Sequence, residues 1–195
     1  MVKTMGKCSL KNSSGVGLIE VLIAMLVVAI GILGYVGLQV SAKRTGYEAI
    51  QRSTAVYLIS DIIERMRSNS VGVFAGSYTV LNLGNNSLGD AAPVCADPIN
   101  CTSVQTANID LWEWEQRLDG ATEGGRGGLV TPRGCINVNN GFVTVAVAWQ
   151  GFTDGVNPAN VEDIDNCGAA LGLYTGNAAD SLRQVVVATS FINNK

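Results

Sequence analysis

The spacing of apolar and polar positions changes character along the chain, and each change marks an element. Residues 16–40 form a nearly unbroken apolar run of 25 residues in which Glu20 alone is charged. As a helix rising about 1.5 Å per residue it would reach roughly 37 Å, enough for a hydrocarbon core of about 30 Å. Past residue 40 the period becomes that of an amphipathic helix. Ala55, Leu58, Ile59, Ile62, Ile63 and Met66 fall on one arc, with Ser60, Asp61, Glu64 and Arg67 opposite. Glu48 with Arg52, and Asp61 with Arg65, stand four apart, the spacing of a supporting ion pair. One long helix is predicted, apolar all round and then two-faced, ending near Asn69 in Ser-Asn-Ser. Gly31, Gly34 and Gly37 lie in its apolar half, where small residues let helices in lipid approach closely.

Beyond residue 69 the signals shorten. Residues 77–83 alternate enough for a strand, and 85–102 are rich in turn formers. Leu111, Trp114 and Leu118 share one face of a short helix over 106–118, closed by Gly120. The glycine-rich stretch 124–128 reads as a loop; it lacks the Lys-Ser/Thr of a phosphate-binding turn. Val143, Val145, Val147 and Trp149 alternate with Phe142, Thr144, Ala146 and Ala148, which predicts a strand with two distinct faces. Asn139-Asn140-Gly141 before it predicts a hairpin with 135–138, and 184–192 reads as the last strand. The fold class expected is α+β, a long N-terminal helix packed on an antiparallel sheet.

Composition narrows the function. The 195 residues carry a net charge of −3, and the first fifteen hold Lys3, Lys7 and Lys11 with no acid, so the remainder stands at −6. That remainder offers phosphate backbones no electrostatic footprint, and direct nucleic-acid binding is not expected. Five cysteines occur. Cys8 belongs to the basic leader; Cys95, Cys101, Cys135 and Cys167 form an even set beyond the apolar run, which suggests two disulfides in an oxidising compartment. Three pairings are possible; Cys95 with Cys101 and Cys135 with Cys167 is the expected one. The chain has no histidine and no Cys-x-x-Cys, so neither a metal site nor a cofactor is expected from these cysteines.

A carboxylate in lipid costs on the order of 2.5–3.5 kcal/mol on insertion scales, so Glu20 calls for a partner. The basic leader resembles the start of a secretory signal, but the apolar run exceeds the 7–15 residues of such a signal and no small-residue cleavage site closes it. The small residue, Gly15, precedes the run instead. Cleavage there would remove the leader, keep the helix as an anchor, and create an amino group at Val16, one turn from Glu20.

Gly15-Val16-Gly17-Leu18-Ile19-Glu20 after a short basic leader resembles the class III signal of type IV pilins and pseudopilins. Val16 stands where that family usually has Phe, and Gly17 where it usually has Thr. The resemblance implies cleavage between Gly15 and Val16 by a prepilin peptidase and N-methylation of Val16. It also implies a docking role for Glu20, neutralising the terminal amine of a neighbouring subunit in an apolar filament core. Residues 30–34, 37–39, 51–53 and 61–69, and 145–151 following Cys135, are similar to minor pilins of the PilV type.

This implies a non-enzymatic minor pilin in a priming or tip complex. Its partners would be other minor pilins, the major pilin, the prepilin peptidase and the inner-membrane assembly platform. The domains expected are a cleaved leader (1–15), a membrane or filament-core half-helix (16–40), an amphipathic half-helix (41–69) and a disulfide-containing head (70–195). The chain would cross the inner membrane once with a periplasmic head, then reach the pilus and cell surface. A minor pseudopilin of a type II secretion system shares leader, anchor and topology and is the alternative. The carboxylates Asp154, Glu162, Asp163 and Asp165 fall in a loop rich in Pro, Gly and Asn, and their spacing misses the standard calcium-loop pattern.

Overall fold

The computed structural model describes residues 17–95, 100–120, 128–155, 164 and 166–194. The element order is α1 (Leu18–Ser68), α2 (Ser70–Phe74), β1 (Val80–Leu83), α3 (Ser103–Leu118), β2 (Arg133–Asn139), β3 (Phe142–Gln150) and β4 (Arg183–Phe191). The chain divides into two units, residues 1–43 and 44–195.

The described part of the first unit is helical from Leu18 onward. Its large apolar side chains are exposed. By length and composition α1 can cross a membrane. Helix runs without a break through Gly31, Gly34 and Gly37. Glycine weakens a helix by about 1 kcal/mol but keeps its amide donor, whereas proline would remove it.

In the second unit four strands form an antiparallel meander in the order β1-β2-β3-β4. Ala55, Leu58, Ile59, Ile62, Ile63 and Met66 of α1 form the main core with Ala107, Leu111, Trp114 and Leu118 of α3. Val143, Val145, Val147 and Trp149 of β3 complete it. The other face of β3 sends Ala146 and Ala148 into a smaller cluster with Cys135, Ile164, Cys167 and Tyr174. Central position in the sheet thus buries both faces of β3. The arc read from helical spacing is the buried face of α1; each such Leu or Ile contributes roughly 1.5–3 kcal/mol. This long apolar helix on a four-stranded antiparallel sheet is the α+β, pilin-like arrangement expected.

Local chemistry explains the boundaries. The β2–β3 turn places Asn140 at φ 49° and Gly141 at φ 83°, the left-handed pair of a two-residue hairpin. α3 starts three residues before the expected 106, because Thr102 and Gln105 form a reciprocal capping box: Gln105 N–H donates to Thr102 Oγ1 at 3.2 Å and Thr102 N–H to Gln105 Oε1 at 3.0 Å. The strand expected over 77–83 begins only at Val80. A one-turn helix, α2, precedes it, capped by Asn69, and Tyr78 is held in the core by its hydroxyl. Of the two expected helical ion pairs, Asp61–Arg65 forms at 3.3 Å. Glu48 does not pair with Arg52; its carboxylate accepts from Thr153 Oγ1 at 2.8 Å, where the loop after β3 crosses α1.

Candidate assembly site

Glu20 lies in the first turn of α1, its N–H donating to Gly17 O at 3.0 Å. Residues four apart form two parallel ridges here, Glu20-Ala24-Val28-Ile32 and Val21-Met25-Ala29. They bound an open apolar groove of about 560 Å³ with the Glu20 carboxylate at its head. Ridges and grooves of this kind are the surfaces by which helices interlock. Ala24 and Ala29 keep the groove open, and nothing lies within 4 Å of a Cβ built at Gly31, Gly34 or Gly37. The arrangement leaves room for close approach by another helix. Gly15, Val16 and the leader lie outside the described residues.

In the head, Cys95 is joined to Cys101 and Cys135 to Cys167, with Cα separations of 5.3 and 5.8 Å. The second bridge is buried and sits beneath an irregularity in β1. Asn82, at φ 57°, donates its N–H to Cys135 Sγ at 3.2 Å and accepts from Gly168 N–H at 2.8 Å. Asp154 accepts from Ser181 Oγ and from Asn177; Glu162, Asp163 and Asp165 lie outside the described residues. Among the described residues no three His, Cys, Asp or Glu side chains are grouped to hold a metal.

Two polar networks went unread in the sequence. Arg65 joins α1 to α3, bonding Asp110 at 3.1 Å and Glu113 at 2.7 Å besides Asp61. Arg117 reaches back to Asp61 at 2.5 Å. Burial works to lower the Arg65 pKa, but the bond to Glu113 and the charge of Asp61 outweigh it and hold the guanidinium above its usual value. Tyr78 donates to Asp110 at 2.5 Å and accepts from Asn69 Nδ2 at 3.0 Å. Burial, then the Asp110 bond, push its hydroxyl well above the ordinary tyrosine range. In the second network the fully buried Glu115 accepts from Gly84 N–H, Ser87 N–H, Ser87 Oγ and Leu88 N–H at 2.6–3.0 Å. Asp119 accepts from Asn85 and Asn86 N–H, both at 2.8 Å. The Gly-Asn-Asn run, with three consecutive positive φ values, is the signal that a turn of converging amides needed an acidic partner.

Residues 37–112 match the family model for the type IV pilin Tt1218, and residues 10–36 match the prokaryotic N-terminal methylation motif. No curated protein matches the chain. No solved structure matches it. With a methylation motif leading into a long apolar helix, and that helix packed on an antiparallel sheet, the chain is a type IV pilin-like protein.

Proposed function

We propose that this pilin-type structural subunit is a minor pilin of the PilV type, joining other minor pilins and the major pilin in a priming or tip complex. Its leader, 1–15, is removed on the cytoplasmic side of the inner membrane by a prepilin peptidase, and the Val16 amine is methylated. Residues 16–40 then anchor the chain, 41–69 carry the head, and 70–195 present it in the periplasm until the subunit leaves through the assembly platform. The observation that carries this reading is Glu20, the one charge on an apolar helix surface, at the head of a groove open to a second helix.

The pairing has a physical logic. An amine and a carboxylate removed from water together attract strongly, while either one left alone in lipid is costly. A neighbour out of register would bury two unpaired charges, so Glu20 checks alignment before assembly proceeds. The test is the mass and first residue of the mature protein. Val16 at the terminus, methylated, is the expected result; a terminus at Met1 or elsewhere removes the amine the pairing needs.

A further inference from the structure

β4 ends the sheet, and its outer edge is open. Ile192 N–H donates to Gly141 O, and Gly151 N–H donates to Leu182 O. Both pairs continue the register that runs from Phe142↔Phe191 to Gln150↔Arg183. Bonded and non-bonded pairs alternate in an antiparallel ladder, so the even-numbered residues from Gln184 to Ser190 bond to β3. The N–H and C=O groups of Val185, Val187, Thr189 and Phe191 therefore point outward. Among the described residues nothing meets them.

The opposite edge is blunted. β1 has four residues, slips register by one, and turns its Asn82 backbone onto Cys135 Sγ. β4 keeps nine residues in unbroken register, with no proline, lysine or bulge. Open edges are templates for pairing, and native sheets disarm them. A chain that disarms one edge and leaves the longer one bare keeps that edge for a partner.

The surroundings describe the partner. Between β4 and α1 lie a cavity of about 260 Å³, lined by Glu48, Arg52, Gln184 and Val186 among others, and one of about 620 Å³ at Arg67 and Phe191. Val186 and Ala188, between them, turn their side chains onto the main core. Arg52 has no ion-pair partner among the described residues, since Glu48 is engaged by Thr153. We propose that β4 receives an extended strand of a different pilin-type subunit as the fifth strand of the sheet. Alternate apolar residues of that strand lie over the α1–β4 groove, and a carboxylate meets Arg52. A second copy pairing its own β4 would bring no carboxylate to Arg52, because β4 holds none.

This inference rests on the assembly reading and deepens it by naming the surface. The test is residue-resolved amide exchange on the full-length protein, alone in detergent and within sheared pili or the co-purified subunit complex. Alone, Val185, Val187, Thr189 and Phe191 are expected to exchange fast and Val186, Ala188 and Ser190 slowly; in the assembly the four fast amides slow by at least about tenfold. Val187→Pro deletes one outward donor and no bond to β3. It is expected to keep the Cys135–Cys167 bridge and the detergent melting profile while lowering recovery in the assembly by about tenfold. Wild-type chain present in the assembly with those four amides still fast would overturn the strand pairing alone. Absence of wild-type chain from every assembly would instead overturn the reading beneath it. Protection of the same amides that grows with the concentration of the isolated chain would make the occupant a second copy and overturn the proposal as stated.

Discussion

Replacing Gly134 with alanine inserts one methyl into the filled space between β2 and α3. A Cβ built on Gly134 falls 2.5 Å from Trp114 Cη2, 2.6 Å from Cζ3 and 2.9 Å from Leu118 Cδ1. The backbone there is extended and accepts any residue, so the effect is steric alone. Neither neighbour can yield easily. Trp114 and Leu118 are fully buried, and Trp114 Nε1 donates to Leu58 O at 2.9 Å, which ties α3 to α1. Overpacking costs about 1–3 kcal/mol, and a displaced indole gives up a hydrogen bond worth about 0.5–1.5 kcal/mol. The expected loss is therefore about 2–4 kcal/mol, or a fall in Tm of roughly 5–15 °C for a domain of this size. Thermal unfolding of the detergent-solubilised full chain, followed by tryptophan fluorescence, measures it. Trp114→Phe shortens the clashing ring, so Gly134→Ala combined with Trp114→Phe should lose less than the sum of the two single losses. An unchanged Tm for Gly134→Ala, or strict additivity in the double variant, would refute the packing argument.

The remaining expectations concern charge, crosslinks and pH. Glu20→Ala should still be exported yet be depleted about tenfold or more in sheared pili, the penalty of one unanswered buried amine; immunoblots showing normal recovery would sink the pairing. Removing the Cys135–Cys167 bridge, which spans 32 residues, should cost about 3.7 kcal/mol on the loop-entropy model. Removing Cys95–Cys101, which spans 6, should cost about 2.2 kcal/mol, so denaturant midpoints of the two double-serine variants should differ in that order. Glu115→Ala strands the buried amide of Gly84, worth about 1–3 kcal/mol unpaired, and releases the amides of the exposed Ser87 and Leu88 to water; amide exchange at these three should accelerate, and unchanged protection would contradict their attachment to α3. Burial pushes the Tyr174 hydroxyl up to about 12 from 10.0. Its folded form therefore holds a proton that the unfolded chain releases, and the stability this represents is complete below pH 10 and lost as pH rises toward 12. Tyr174→Phe should flatten that part of the alkaline fall, with unfolding midpoints at pH 9 and 11 as the measure, while forfeiting the bond to Thr131 O at all pH values.

Features with a single period, or a single residue that contradicts its surroundings, are legible in the sequence alone. The apolar run with Glu20 inside it, the buried arc from Ala55 to Met66, the alternation of β3 and the Asn140-Gly141 hairpin each depend on interactions within a few residues, which local order records directly. Tertiary structure alone decided which polar groups meet. Asp61 and Arg65 look like a surface pair four apart, yet they face Asp110, Glu113 and Arg117 because α3 lies across them. Glu48 turns to Thr153, and not to Arg52, because a loop 105 residues away passes over it. Glu115 reads as an ordinary helical acid until the amides of the turn at Gly84 converge on it. The open edge of β4 likewise follows from strand order, which no window of residues contains. Electrostatic and backbone hydrogen-bond partners are chosen by proximity in space, and in a chain whose core joins its first helix to its final strand, that proximity is set by the fold as a whole.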